Sequence, residues 1–237
     1  MAEPNTSEFK IPGATDRVSV IGRTGSGKTT FAAWLLSHMH KKTRPSIIVD
    51  FKGDEFLGSI PGLKELDVTA RAPNKPGLYV VRPMPEEDEI DDFLWRVWER
   101  GKTLVYVDEA HMLHGSKAFQ ALLTQGRSKG VPMIVLTQRP SWVSRFVFSE
   151  ADFYSVFHLN DIRDQQIVER FVPKNLSVPL PEFHSHWHNV KRYSTIQLQP
   201  VPQQDSIRNR LAEKTGAVTI WTEPTYHGRS KTGSLWF

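Results

Sequence analysis

Val18-Ser19-Val20-Ile21 runs straight into Gly22-Arg23-Thr24-Gly25-Ser26-Gly27-Lys28-Thr29, and then into Thr30-Phe31-Ala32-Ala33-Trp34-Leu35-Leu36. The middle stretch fits G-x-x-x-x-G-K-S/T without a gap. A β-branched run before it reads as a strand, and the apolar run after it reads as a helix ending near His40, followed by Lys41, Lys42 and Arg44. That context gives the spacing a mechanical purpose. Glycines let backbone N–H groups turn inward around phosphate oxygens, and the following helix offers its positive end to the same anion. Lys28 is expected to reach the β/γ-phosphates and the Thr29 hydroxyl to ligate Mg²⁺. Gly22, Thr24, Gly25, Ser26, Gly27, Lys28, Thr29 and Thr30 are therefore the expected nucleotide-binding residues.

Outward from this loop, strand-like and helix-like segments alternate. Strands are expected at Ser46–Phe51, Leu78–Val81, Thr103–Val107, Val131–Thr137 and Phe153–Leu159, and helices at Glu86–Arg100, Lys117–Ser128 and Asp161–Phe171. Residues 52–77 read as a loop-rich connection, being dense in Gly, Pro and charge. Strands separated by helices of about ten residues indicate βαβ units and a mostly parallel sheet, hence an α/β class. After Pro173 the prolines at 179, 181, 200 and 202 interrupt the pattern, leaving a strand-like Thr195–Leu198. Residues 1–16 read as an N-terminal arm, 17–190 as the core and 191–237 as a C-terminal extension.

Two further strand ends carry chemistry. Thr103-Leu104-Val105-Tyr106-Val107 ends in Asp108-Glu109-Ala110-His111. Ligands of parallel sheets collect at the C-terminal strand ends, so these carboxylates are expected to converge on the phosphate loop. Asp108 is the expected Mg²⁺ partner opposite Thr29, and Glu109 the base that orients and deprotonates the attacking water. The Asp-Glu-Ala-His spelling invites a helicase reading, but such helicases resemble two tandem nucleotide-binding cores and this chain has room for one. Thr137-Gln138-Arg139-Pro140 closes the next strand, where Gln138 is placed to contact the γ-phosphate or the lytic water.

Composition narrows the field from another side. The 237 residues contain no cysteine, which excludes a disulfide framework, a cysteine zinc site, an iron–sulfur cluster and a thiol nucleophile. Thirty Lys+Arg against 26 Asp+Glu leaves a net +4, compatible with a polyanionic partner but too small to identify one. No apolar run approaches the ~18–20 residues that cross a bilayer, and the start of the chain lacks a secretory signal pattern, so a soluble, cytoplasmic protein is expected. His184, His186 and His188 alternate and would share a strand face, with a polar face favoured over a metal site.

Taken together, the Gly22–Thr29 loop, the Asp108–Glu109 pair and the Thr137–Pro140 turn resemble the FtsK–HerA superfamily of DNA-pumping ATPases. Val49-Asp50-Phe51-Lys52-Gly53 and Gln125-Gly126-Arg127-Ser128-Lys129-Gly130 also look like that family, over roughly residues 15–160. The small size and absence of appended domains look most like the genome-packaging ATPases of tailless, membrane-containing double-stranded DNA viruses and phages. The resemblance implies a RecA-like P-loop core, ATP and Mg²⁺ as cofactors, and a ring of identical subunits on double-stranded DNA. It also implies a capsid portal or vertex partner and a location in host cytoplasm and at the packaging vertex. In such rings an arginine from the neighbouring subunit reaches the phosphates; Arg127 is the first candidate by motif position, with Arg139 and Arg145 next. Either Ser141–Phe146 or His111–Lys117 could line a pore, with core packing the favoured reading of their aromatics. A conjugation or phage-extrusion ATPase, a small-molecule P-loop kinase and a slow nucleotide-gated scaffold are the rival readings.

Overall fold

The computed structural model describes residues 9–84 and 89–217. The acidic residues Glu86–Asp88 and the basic and aromatic stretch containing Trp221, Tyr226, Arg229, Lys231 and Trp236 lie outside the described residues.

A sheet of nine strands forms the middle layer: β1 (Arg17–Ile21), β2 (Pro45–Asp50), β3 (Leu63–Leu66), β4 (Gly77–Val81), β5 (Leu104–Asp108), β6 (Met133–Thr137), β7 (Phe153–Val156), β8 (Ser185–Asn189) and β9 (Ser194–Leu198). Their spatial order is β3-β4-β2-β5-β6-β1-β7-β8-β9. Pairing is parallel from β3 through β7, and antiparallel from β7 to β8 and β8 to β9. The helices are α1 (Lys28–Met39), α2 (Glu55–Gly58), α3 (Glu89–Arg100), α4 (Lys117–Gln125), α5 (Phe146–Ser149), α6 (Ile162–Glu169) and α7 (Gln204–Thr215).

The central strands are buried on both faces, which is why their sequences are continuous apolar runs without alternation. Alternate side chains feed two separate cores. Ile47, Val49, Val105, Val107 and Val135 pack with Phe93, Leu94, Val97, Phe119 and Leu122 of α3 and α4. Val18, Val20, Ile48, Tyr106, Ile134 and Leu136 pack on the other face with Phe31, Leu35 and Leu36 of α1 and Leu211 of α7. Each fully buried aliphatic side chain contributes about 1.5–3 kcal/mol, so the two-sided core holds the strand ends rigidly in register. The α3 apolar residues Ile90, Phe93, Leu94 and Val97 fall at helical spacing, with acids in its first turn and Arg100 in its last.

The connection over residues 52–77 is more ordered than its composition suggests. It contains α2 and the edge strand β3, whose sequence LKEL is half exposed and so carries little apolar signal. Likewise β8 reads SHWHN, a polar strand that nonetheless buries Ser185, Trp187, His188 and Asn189, with Trp187 its one apolar side chain. His186 and His188 share one face of it, and His188 Nδ1 is hydrogen-bonded to Thr195 Oγ1 of β9 at 2.8 Å. Within the segment read as the C-terminal extension, β9 lengthens the sheet and α7 packs on α1. Lys214 Nζ donates to the carbonyls of His38 and His40 at 3.3 and 3.0 Å, placing a cation on the negative end of α1.

Candidate active site

The phosphate loop hangs between two neighbouring strands. Gly22 N–H donates to Thr137 O at the tip of β6 (3.2 Å), and Arg23 N–H donates to His158 O beyond β7 (3.1 Å). A side chain at Gly22 would stand 2.6 Å from Phe157 Cβ, so only glycine permits this approach. Gly27, with φ of 92°, turns the chain left-handed into α1. Lys28 is buried, and its ammonium donates to Arg23 O at 3.2 Å. Burial lowers its pKa, while Glu109 and then Asp108 act in the opposite direction. The ammonium is thus held in a largely desolvated place, where an incoming phosphate would take over from Arg23 O as its partner.

The carboxylates sit at the end of β5. Asp108 is 1 % exposed and neither carboxylate oxygen has a hydrogen-bond partner. Its pKa is pushed up to about 6, first by burial and then by the neighbouring Glu109 and Asp50, with Lys52 and Lys28 opposing. A buried carboxylate without hydrogen-bond partners fits a hard divalent cation, which takes oxygen ligands, and Thr29 on the first turn of α1 is the hydroxyl the sequence offers as its companion. Asp50 stands opposite Asp108 in the β2–β5 register but is differently satisfied. It accepts from the N–H groups of Lys52, Gly53 and Asp54 at 3.0–3.2 Å and from Arg82 Nε at 3.3 Å. That turn delivers Lys52 to Glu109, with which it forms an ion pair through Oε1. Glu109 Oε2 lies 3.1 Å from His111 Nδ1, and the residue holds a left-handed backbone (φ 57°) that non-glycine residues seldom adopt. Lys52 and His111 meet Glu109, a contact the sequence reading did not give either of them: Lys52 lay in the Val49–Gly53 motif and His111 in a candidate pore loop.

Gln138 closes the group. Because β6 lies between β1 and β5, its tip separates the phosphate loop from the carboxylates. The Thr24 hydroxyl donates to Gln138 Oε1. Lys28, Asp108, Glu109 and Gln138 thus gather at the C-terminal ends of three adjacent strands, as expected. Beside them a cavity of about 430 Å³ is lined by Gly27, Thr30, Phe31, Phe157, Phe183 and residues 200–205. Its aromatic and proline walls suit a nucleobase and ribose continuing from the phosphates. Phe183 and the 200–205 segment lie far from the motifs in sequence, with no pattern of their own.

Arg127 stands apart from these residues. It lies in the turn before β6 and pairs with Asp152, whose own N–H donates to Arg17 O at the start of β1. That is the N-terminal edge of the sheet, about 13 Å of strand from the phosphate loop at ~3.3 Å per residue. Its side chain is 53 % exposed. Within one subunit it faces away from the site. Arg139, by contrast, is near the site but committed locally, 3.7 Å from Asp164 and stacked on Trp142 at 4.4 Å. Arg145 precedes α5 and lines a separate cleft with Arg170 and Phe171.

Comparison with known proteins agrees with this fold. The family described as AAA domain matches residues 16–146, which span the phosphate loop, the acidic strand and Gln138. The DNA packaging ATPase P9 of Enterobacteria phage PRD1 is 42 % identical over 216 residues, covering 86 % of this chain and 95 % of P9. The chain belongs to the P9 family of packaging ATPases. Among solved structures, the genome packaging NTPase B204 of Sulfolobus turreted icosahedral virus 2 superposes with a TM-score of 0.62 at 19 % identity, over 80 % of this chain and 98 % of B204. VirB4 of Thermoanaerobacter pseudethanolicus gives 0.62 at 12 % identity, over 84 % and 93 % of the two chains. At these identities both establish the P-loop α/β fold alone. The family membership makes the chain an ATP-binding P-loop ATPase, and it bears out the FtsK–HerA resemblance and its packaging branch. No helix among the described residues is long and apolar enough to cross a membrane.

Proposed function

We propose that this chain is the ATP-driven motor that packages double-stranded DNA into a preformed viral capsid, working as a ring of identical subunits. The observation that carries the reading is homology to P9 along 86 % of the chain, over a site with each part of a hydrolytic P-loop centre. Residues 17–190 are the ATPase core on this reading, and the residues from 191 add β9, α7 and one wall of the base cavity.

The geometry supports a role for each residue. Backbone amides of Gly22–Thr29 and the Lys28 ammonium hold the β- and γ-phosphates, and Thr30 lies beside the ribose. Thr29 and Asp108 hold Mg²⁺, which supplies charge neutralisation at the phosphate oxygens. Glu109 accepts the proton of the attacking water, and Gln138, tied to Thr24, senses whether a γ-phosphate is present. Arg127, displayed on the far edge of the sheet, serves the neighbouring subunit's nucleotide. Opposite edges carrying complementary halves of one site are what a head-to-tail ring requires. Along the ring's bore, DNA phosphates are gripped without reading sequence. The protein acts in the host cytoplasm and at the packaging vertex, against a portal or vertex protein.

ATP turnover measured with and without long duplex DNA, across a salt series, tests this. A motor's turnover rises with duplex and loses that rise with salt; turnover indifferent to DNA favours a small-molecule kinase or a scaffold.

A further inference from the structure

The short segment Gln138–Trp142 touches the site twice. At its start Gln138 accepts from Thr24 of the phosphate loop. At its end the Trp142 ring meets the His111 ring edge-on, centroids 6.0 Å apart, and His111 Nδ1 lies 3.1 Å from Glu109 Oε2. The stretch between is braced as one unit. Pro140 opens a single 3-10 turn, Trp142 N–H donates to Arg139 O at 2.9 Å, and Ser141 N–H donates to the buried Asp164 carboxylate at 2.8 Å.

Its outer face is exposed in an unusual way. Trp142 is 53 % exposed, with the Arg139 guanidinium carbon over its ring, 4.4 Å from the centroid. A guanidinium held over a ring still offers N–H donors in the planar fork that suits phosphate oxygens. Arg145 and the exposed Phe146 follow after the buried Val143 and the half-buried Ser144. Asp164, 3.7 Å from Arg139, is the internal anion that a phosphate would displace.

We propose that the Arg139–Trp142 face contacts duplex-DNA phosphates, and that His111 is the positioning residue through which this contact sets the Glu109 carboxylate. The proposal rests on the translocase reading and deepens it. A phosphate competing with Asp164 for Arg139 gives the segment two arrangements, the differential interaction that any ligand-driven shift needs. Trp142 moves with Arg139, and His111 follows its ring contact. Glu109 is held from the other side by Lys52 through Oε1, so a change at Oε2 turns the carboxylate about a fixed anchor. The same segment carries Gln138, so the γ-phosphate contact and the base respond together.

The test uses the full chain in its oligomeric form, long duplex DNA at low salt, and the variants His111→Asn, Trp142→Ala and Arg139→Ala. Asparagine retains a polar group near the Nδ1 position and removes the ring edge that meets Trp142. His111→Asn is expected to bind DNA and a fluorescent ATP analogue like the parent, while its ratio of DNA-stimulated to basal turnover falls to about one. Trp142→Ala and Arg139→Ala are expected to lose about tenfold in DNA affinity, and Trp142→Ala to keep the parent KM for ATP. A parental stimulation ratio in His111→Asn overturns the positioning role. Should that variant misfold, Trp142→Leu reads the same contact, and an undiminished ratio there overturns it equally. Parental DNA affinity in both face variants, or dissociation of the oligomer in their place, overturns the contact surface. A parent protein whose turnover ignores DNA overturns the translocase reading, and the inference with it. That outcome is distinct from stimulation that survives in the variants.

Discussion

Asp108→Asn, measured without divalent cations, puts the electrostatics of the site to a quantitative test. The Asp108 carboxyl is almost wholly buried, lacks hydrogen-bond partners and titrates near 6 in the fold against an ordinary 3.8. A raised carboxylate pKa means that folding disfavours the charged form. The penalty is absent below 3.8, grows through the window from 3.8 to about 6 and is complete above it. At about 1.36 kcal/mol per pH unit, the full penalty at pH 8 is about 3 kcal/mol, and at pH 4.5 about 1. Asparagine removes the charge at every pH, and its own burial cost is the same at both. The stability change on substitution should therefore be more favourable at pH 8 than at pH 4.5 by about 2 kcal/mol. For a chain of this size that is about 4–8 °C in melting midpoint. Parallel melts of parent and variant in EDTA at the two pH values measure it. An equal change at both pH values, or a larger benefit in acid, refutes the account of Asp108 as a desolvated carboxylate awaiting a cation.

Other consequences are equally direct. Because a proton and a cation compete for Asp108, Mg²⁺ affinity should fall as pH drops below about 6, which titration calorimetry at pH 5 and 7.5 reads. Glu109→Gln should bind ATP like the parent and lose turnover by about 10²–10⁴-fold; parental hydrolysis would remove Glu109 from the role of base. Arg127→Ala should lose about 10³–10⁵-fold in turnover with ATP affinity kept. Mixing it with Glu109→Gln subunits should restore part of the activity, and failure to complement would argue against action in trans. Phe183→Ala should weaken ATP binding by about two- to tenfold while leaving tripolyphosphate binding unchanged, since only the base loses its aromatic wall.

Much of this site was legible because P-loop chemistry is local. From Ile21 to Thr30 the turn, the helix dipole and the lysine are neighbours in the chain, so spacing alone defines a phosphate cradle. The Asp108–Glu109 pair and Gln138 were legible for a related reason: each ends a run of buried apolar residues, and such runs mark strands of a parallel sheet. Weakly apolar elements escaped. β3 is a half-exposed edge, and β8 is a polar strand whose only sequence signal was the alternation of His184, His186 and His188, so neither presents an apolar periodicity. Phe183 and residues 200–205 escaped because what they contribute is a wall, and many sequences make an apolar wall.

By itself, then, the sequence determined the class of sheet, the phosphate loop and the three strand tips that carry chemistry. Strand order belonged to the tertiary structure. Nothing in the chain before folding says that β6 inserts between β1 and β5, yet that placement puts Gln138 between phosphate and base. Nor does a motif tell which edge of the sheet a turn occupies. Arg127 and Arg139 are twelve residues apart, but the length of β6 carries one to the far edge and the other to the nucleotide side. The two cores on either side of the sheet make that choice, since burying both faces of every central strand fixes their order and direction together. The partners of Glu109 were settled the same way: Lys52 and His111 come from opposite sides of the carboxylate, and only packing brings them to one side chain.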